Sequence, residues 1–205
     1  MMNWIIGILE GCKIFALYIF PIFLPAAILP MLLTKKYNLI KLLLQGTFLL
    51  YLCCVIGLVF FPLPTVAQAQ GLTYHAILVP LHFVMDILER PVMGALPVLL
   101  NVFMFVPFGI YLRYRFRLSA RKVFLFSLAF SVLIEFGQYT GLFFLFKGSY
   151  RLFEVDDLIT NTLGAMIGFH SMRMVEDLLP SLESFDRFSR KCYNQHGSLT
   201  KTMIP

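Results

Sequence analysis

Charge is what this sequence has least of. Only 14% of its 205 residues are Asp, Glu, Lys or Arg, where a soluble domain carries about a quarter. That shortage excludes a disordered chain, which needs charge and polarity to stay solvated, and an ordinary cytosolic enzyme. Basic residues outnumber acidic ones, 17 to 11, for a formal charge of +6. They are still too sparse for a nucleic-acid-binding surface. Cysteine is scarce too. Cys12, Cys53, Cys54 and Cys192 show no metal-ligand or disulfide-motif spacing. They read as small apolar residues inside apolar runs, plus one free thiol in the tail. What is abundant is apolar: 59% hydrophobic residues, 16% aromatics and a mean hydropathy of +0.81. The class is an all-α, polytopic membrane helical bundle.

The charges punctuate the chain. Residues 14–34, 42–85, 91–112 and 158–172 contain none, and 123–146 contains only Glu135. A spanning helix needs about 20 mainly apolar residues. This predicts five spans, at 14–33, 42–62, 95–112, 122–146 and 157–175. Backbone at membrane depth must satisfy its own polar groups, so these are helices. The expected organisation is two N-terminal spans in 1–62, a loop with an interfacial segment in 63–94, a three-helix core in 95–175 and a basic tail in 176–205. A cleavable signal peptide fits poorly, because Lys35 and Lys36 follow the first apolar run where small residues should stand. Pro21, Pro25 and Pro30 predict a kinked or broken first span.

Lys and Arg set the orientation. Loop 34–41 carries Lys35, Lys36 and Lys41, and loop 113–122 carries Arg113, Arg115, Arg117, Arg121 and Lys122. The tail carries Arg173, Arg187, Arg190, Lys191 and Lys201. The opposite side has Lys13, Arg90, Lys147 and Arg151, so the split is thirteen to four. By the positive-inside rule the N-terminus is outside and the C-terminus cytoplasmic. The location expected is the cell membrane, multi-pass.

Polar residues within the spans carry the functional signal. Glu135 is the one charge deep inside a span, where a carboxylate costs about 2.5–3.5 kcal/mol on insertion scales and is functional by default. Ser131 and Gln138 share its helix face. The last span opens with Asp156, Asp157 and Asn161, followed by Gly164-x-x-x-Gly168, a small-residue packing motif. Asn101 opens the third span on the same outer side. The functional cluster expected is Asn101, Glu135, Gln138, Asp156, Asp157 and Asn161, with Gly164 and Gly168 for helix packing. The bland alternative is a hydrogen-bond network that only holds the bundle, with Asp156 as a helix cap. Glu135 could pair with Arg151. In the 63–94 loop, His75, His82, Asp86 and Glu89 would share one face of a helix. Two histidines seven apart chelate poorly and Pro80 interrupts the segment, so this reads as a solvated interfacial face. No metal and no cofactor is expected.

Three stretches resemble the signatures of the VanZ-like membrane proteins. They are Asn101-Val-Phe-Met-Phe-Val-Pro-Phe-Gly109, Ser131-Val-Leu-Ile-Glu135-Phe-Gly-Gln138 and Val155-Asp156-Asp157-Leu-Ile-Thr-Asn161-Thr-Leu-Gly164-Ala-Met-Ile-Gly168. Order and spacing match over about 97–170. Ile77-Leu-Val-Pro80-Leu81 resembles a further element, but Ile77 and Leu81 stand where the family often has Asn and Phe. The resemblance implies a role in the cell envelope, associated with reduced susceptibility to teicoplanin and much less to vancomycin. Teicoplanin carries a lipid chain and acts outside the membrane, on the side where the polar cluster is expected. The partners expected are therefore membrane lipids and a lipid-bearing glycopeptide or envelope lipid precursor, with no nucleic acid. Two other readings stay open. One is an intramembrane enzyme acting on a lipid-linked phosphate or glycan, with a divalent cation at Asp156, Asp157 and Asn161. The other is a transporter using Glu135 for proton coupling.

Overall fold

The computed structural model describes residues 2–34, 39–69, 71–149 and 151–179. Lys35, Lys36, Cys192 and the tail residues Arg187, Arg190, Lys191 and Lys201 lie outside the described residues. The chain is mainly helical, and its described residues divide into two compact units, one built on the helices before Val59 and the other spanning Val59–Glu176. Among the described residues, three stretches are long and apolar enough to cross a membrane: Ile5–Met31, Ile40–Phe60 and Pro91–Phe116.

In the first unit, α1 (Met2–Ile14) runs through a π-turn at Phe15–Ile19 into α2 (Phe20–Thr34). The first span therefore starts well before residue 14. It absorbs Lys13 by pairing it with Glu10 at 2.6 Å, so Lys13 is no loop residue. The prolines bend the backbone hydrogen-bonding pattern without ending the helix. Pro21 has no N–H to donate, and its ring would crowd the carbonyl four residues back. One residue earlier the Phe20 N–H reaches the Phe15 carbonyl, five residues away, which widens that turn. α3 (Leu39–Phe60) begins in this unit. Gly7 and Gly11 of α1 face Gly57, Cys53 and Cys54 of α3 in antiparallel order, so close that a Cβ on Gly11 would lie 2.6 Å from the Cys54 Cα.

The second unit is built on α6 (Pro91–Phe116), α7 (Ala120–Tyr139) and α9 (Val155–Val175). Four residues earlier than expected, Pro91 starts α6 at a position where a missing N–H costs nothing. Arg117, in the left-handed region at φ 53°, ends it and turns the chain into α7. α7 stops at Tyr139, short of the expected 146. Gly141 has φ 64°, and Leu142, Phe143 and Phe144 are also left-handed, so α8 (Gly141–Phe144) is a turn of opposite hand that no right-handed span can traverse. α6 and α9 run side by side in the same direction. A Cβ on Gly164, Gly168 or Gly109 would collide with the Val102, Val106 or Ala165 carbonyl oxygen, so the two backbones touch along a seam. α7 returns antiparallel and packs chiefly on α9. Phe105, Phe108 and Phe130 close the core, with ring centroids 5.1–5.9 Å apart.

The segment read as a loop has more structure than expected. It holds α4 (Val66–Ala69), β1 (Ala76–Ile77) and α5 (His82–Glu89). β1 pairs in parallel with β2 (Phe153–Glu154), Ala76 opposite Phe153 and Ile77 opposite Glu154. Two-residue strands leave no periodicity to read in a sequence. Their effect is to dock the Ile77–Leu81 element beside the start of α9. His75 lies outside α5, bonded to Thr73 at 2.6 Å, so the expected one-face alignment with His82 does not form.

Candidate functional site

Asp156 and Asp157 occupy the first turn of α9, where the helix dipole favours negative charge. Being adjacent on a helix, they point in different directions and do different work. Asp156 reaches across to α5. Its two carboxylate oxygens accept the Leu81 N–H at 2.6 Å and the Phe83 N–H at 2.8 Å. It is a cap, but for another helix than its own. The orphan amides at the start of α5 need an acceptor, and Leu81 cannot supply one.

Asp157 points into the bundle. It accepts a hydrogen bond from Asn101 Nδ2 at 2.6 Å, and its carboxyl meets that of Glu135 side chain to side chain. Glu135, 1% exposed, also accepts the Glu154 N–H at 3.3 Å. Thus Asn101, Glu135 and Asp157 form one constellation where α6, α7 and α9 meet. The remaining candidates are placed elsewhere. Asn161, one turn further along α9, donates to Ser131 Oγ at 2.9 Å. Gln138 donates to the Val59 carbonyl at 3.0 Å. Arg151 donates to the Phe61 carbonyl at 2.6 Å, and the charges that act on Glu135 include those of Asp157 and Glu154. Asn161 Oδ1 and Gln138 Oε1 are buried without a hydrogen-bond partner.

Asp157 also forms part of the wall of a pocket of about 420 Å³. Asp86, Glu89, Glu154 and Asp156 add carboxylates, Arg90 one cation, and Phe83, Met93, Pro97 and Val98 an apolar side. Burial pushes the Glu154 carboxyl above its ordinary range, and the nearby Asp86 and Asp156 carboxylates add to this, while His82 acts the other way. Such a cavity suits a ligand with hydrogen-bond donors or positive charge at one end and apolar surface at the other. His82 and Asp86, 3.2 Å apart, pair along α5. Among the described residues no group of three His, Cys, Asp or Glu is arranged to hold a metal ion.

Sequence reasoning places Asp86 and Glu89 on a solvated face and gives Arg90 and Glu154 no part in a site. Their convergence depends on the β1–β2 pairing. At the other end of the seam, Arg113 Nε donates to Glu176 Oε2 at 2.7 Å, and its Nη2 to Oε1 of the same carboxylate. Arg117 lies 3.3 Å away. Glu176 therefore belongs with the core and not with the tail assigned to 176–205. The seam between α6 and α9 is closed by Asn101–Asp157 at one end and Arg113–Glu176 at the other.

No curated protein and no solved structure matches the chain. The VanZ/LLP1 family profile matches residues 48–176, more than half of it, and takes in the whole α6–α7–α9 core together with the docked segment before it. With the apolar helices, that match identifies the chain as a membrane protein belonging to the VanZ/LLP1 family.

Proposed function

We propose that this protein is a multi-pass protein of the cell membrane that lowers the susceptibility of a Gram-positive envelope to lipid-bearing glycopeptides such as teicoplanin. In this reading α7 and α9 cross the membrane in addition to the three more apolar stretches. The N-terminus is outside, the C-terminus is cytoplasmic, and the Asn101–Asp157 end of the core faces the outer leaflet. The thirteen-to-four division of Lys and Arg supports that orientation, and absorbing Lys13 into the first helix sharpens it.

The observation that carries the reading is the pocket at the Asp157 end. One wall is carboxylate, the other is apolar, and the Glu135–Asp157–Asn101 constellation stands behind it. A molecule with an amine-bearing polar part and a lipid chain has the matching two-sided chemistry. A lipid-linked phosphate would meet five carboxylates and one arginine there, and Asp156 is already committed to two backbone amides. A binding role is therefore favoured over phosphate chemistry.

The test is teicoplanin and vancomycin susceptibility in a Gram-positive host expressing wild type, Glu135→Gln or Asp157→Asn, with membrane levels compared by blot. Wild type should protect against teicoplanin far more than vancomycin, and the equally abundant variants should not protect. Full expression of wild type without protection would remove the antibiotic from the reading.

A further inference from the structure

We propose that Cys12 and Cys54 are a reversible disulfide pair, an oxidant-dependent staple between α1 and α3. Their Sγ atoms lie 3.9 Å apart, on helices forty-two positions distant in sequence. The spacing of the cysteines along the chain gives no hint of this. The glycine seam creates it. Gly7 and Gly11 let α1 approach the α3 backbone at Gly57, Cys53 and Cys54 more closely than any larger residue would permit. Helices held at that separation bring side chains flanking the seam into bonding range. A disulfide needs the sulfurs at about 2.05 Å, so each must move by roughly 1 Å, which a modest side-chain rotation supplies.

The two thiols differ from their neighbour. Cys12 is exposed and Cys54 half-buried, whereas Cys53 is buried. A reagent therefore reaches Cys12 first. In the exchange the Cys12 thiolate attacks one sulfur of an external disulfide, forming a mixed disulfide and expelling one thiolate. The Cys54 sulfur, losing its proton, then attacks the Cys12 sulfur and expels the second thiolate. Two cysteine thiols are oxidised and one external disulfide is reduced to two thiols. Cys12 is seven residues inside the Ile5 end of its stretch and Cys54 six from Phe60, which is about 10 Å of helix in each case. The oxidant must therefore be an apolar disulfide or one carried by a membrane-associated protein.

The experiment treats membranes containing the full chain with 4,4′-dipyridyl disulfide, blocks free thiols with a maleimide, and reads intact mass and cross-linked peptides. The expected product joins the Cys12 and Cys54 peptides in a pair two hydrogens lighter than the sum of the free-thiol peptides, carries neither label on those two residues, and reverts with dithiothreitol. Cys53→Ala should cross-link as wild type does. Cys54→Ala should instead keep a pyridylthio group on Cys12. A stable pyridylthio adduct on Cys12 of the wild type, or cross-linking that survives Cys54→Ala, would overturn the proposal.

Discussion

The seam between α1 and α3 and the seam between α6 and α9 use the same device. In each, glycines one turn apart remove the side chains that would hold two helices apart, and backbone meets backbone. They differ in what closes them. The α6–α9 seam ends in a half-buried amide–carboxyl bond at Asn101–Asp157 and in a forked ion pair at Arg113–Glu176. The described polar contact across the α1–α3 seam is a pair of thiols. Glycine seams hold helices together in apolar surroundings where no hydrophobic force does so. Polar closure adds register, because an unpaired amide or carboxyl in that setting is costly. It also leaves a carboxylate aimed at a cavity, which thiols do not. Close packing is thus common to both pairs of helices, and the chemistry is confined to one.

The largest effect that would break this comparison is steric. Gly168→Leu or Gly164→Leu pushes a side chain into a carbonyl of α6 that has nowhere to go, at a cost of about 3 kcal/mol or more. Little folded protein should accumulate. Gly57→Leu meets the same obstruction at Gly7, yet should loosen only the α1–α3 pair. Hydrogen exchange should show protection lost in 2–58 and kept in α6 and α9. Equal loss throughout would mean that the second unit has no independent core.

Next in size is the cap. Asp156→Ala leaves the Leu81 and Phe83 amides without their acceptors, a change of about 2 kcal/mol. It should release α5 and the β1–β2 pair while α6, α7 and α9 stay packed. Limited proteolysis would then cut between 72 and 90 well before it cuts the core. Unchanged protection of that segment would show that the strand pairing alone holds it. Asp156→Asn, which keeps one carbonyl acceptor, should fall between the two.

Much of this arrangement is legible in the sequence. Glu135 stands out because a charge among apolar residues is too costly to be kept without a use. Gly164-x-x-x-Gly168 stands out because its spacing is one helical turn. The same spacing at Gly7-x-x-x-Gly11 is hidden behind Glu10 and Lys13, which look like a boundary until their pairing is seen. The separation of adjacent Asp156 and Asp157 into a cap and an interior ligand cannot be read. It depends on where α5 lies, and α5 is placed by its packing on α6 and by two residues of parallel strand. The pocket is illegible for the same reason. Asp86 and Glu154 are far apart in the chain, and no local pattern links them. The early end of α7 escapes a hydropathy reading because the apolar aromatics after Gly141 continue the run while the backbone reverses its hand.

The smallest effect concerns the polar closure at the far end of the α6–α9 seam. The bond from Arg113 holds the Glu176 carboxyl below its ordinary range, and the charges of Arg113, Arg117 and Arg173 act in the same direction. A carboxyl lowered on folding contributes stability in full above its unfolded pKa, and loses it as the pH falls through the folded value. Thermal stability in detergent should therefore be flat from neutral pH down to the ordinary carboxylate range and decline below it, by about 1 kcal/mol for a pair at this exposure. Glu176→Gln should lower the plateau by that amount and flatten the decline, because the amide keeps one acceptor for Arg113 but does not titrate. Among the described contacts, the one across the α1–α3 seam is a pair of thiols and not a carboxyl, so Cys54→Ala should leave the profile unchanged. A decline that persists at full size in Glu176→Gln would remove this ion pair as its cause, and the pocket could not take its place through Glu154, because a carboxyl raised on folding gains stability as the pH falls.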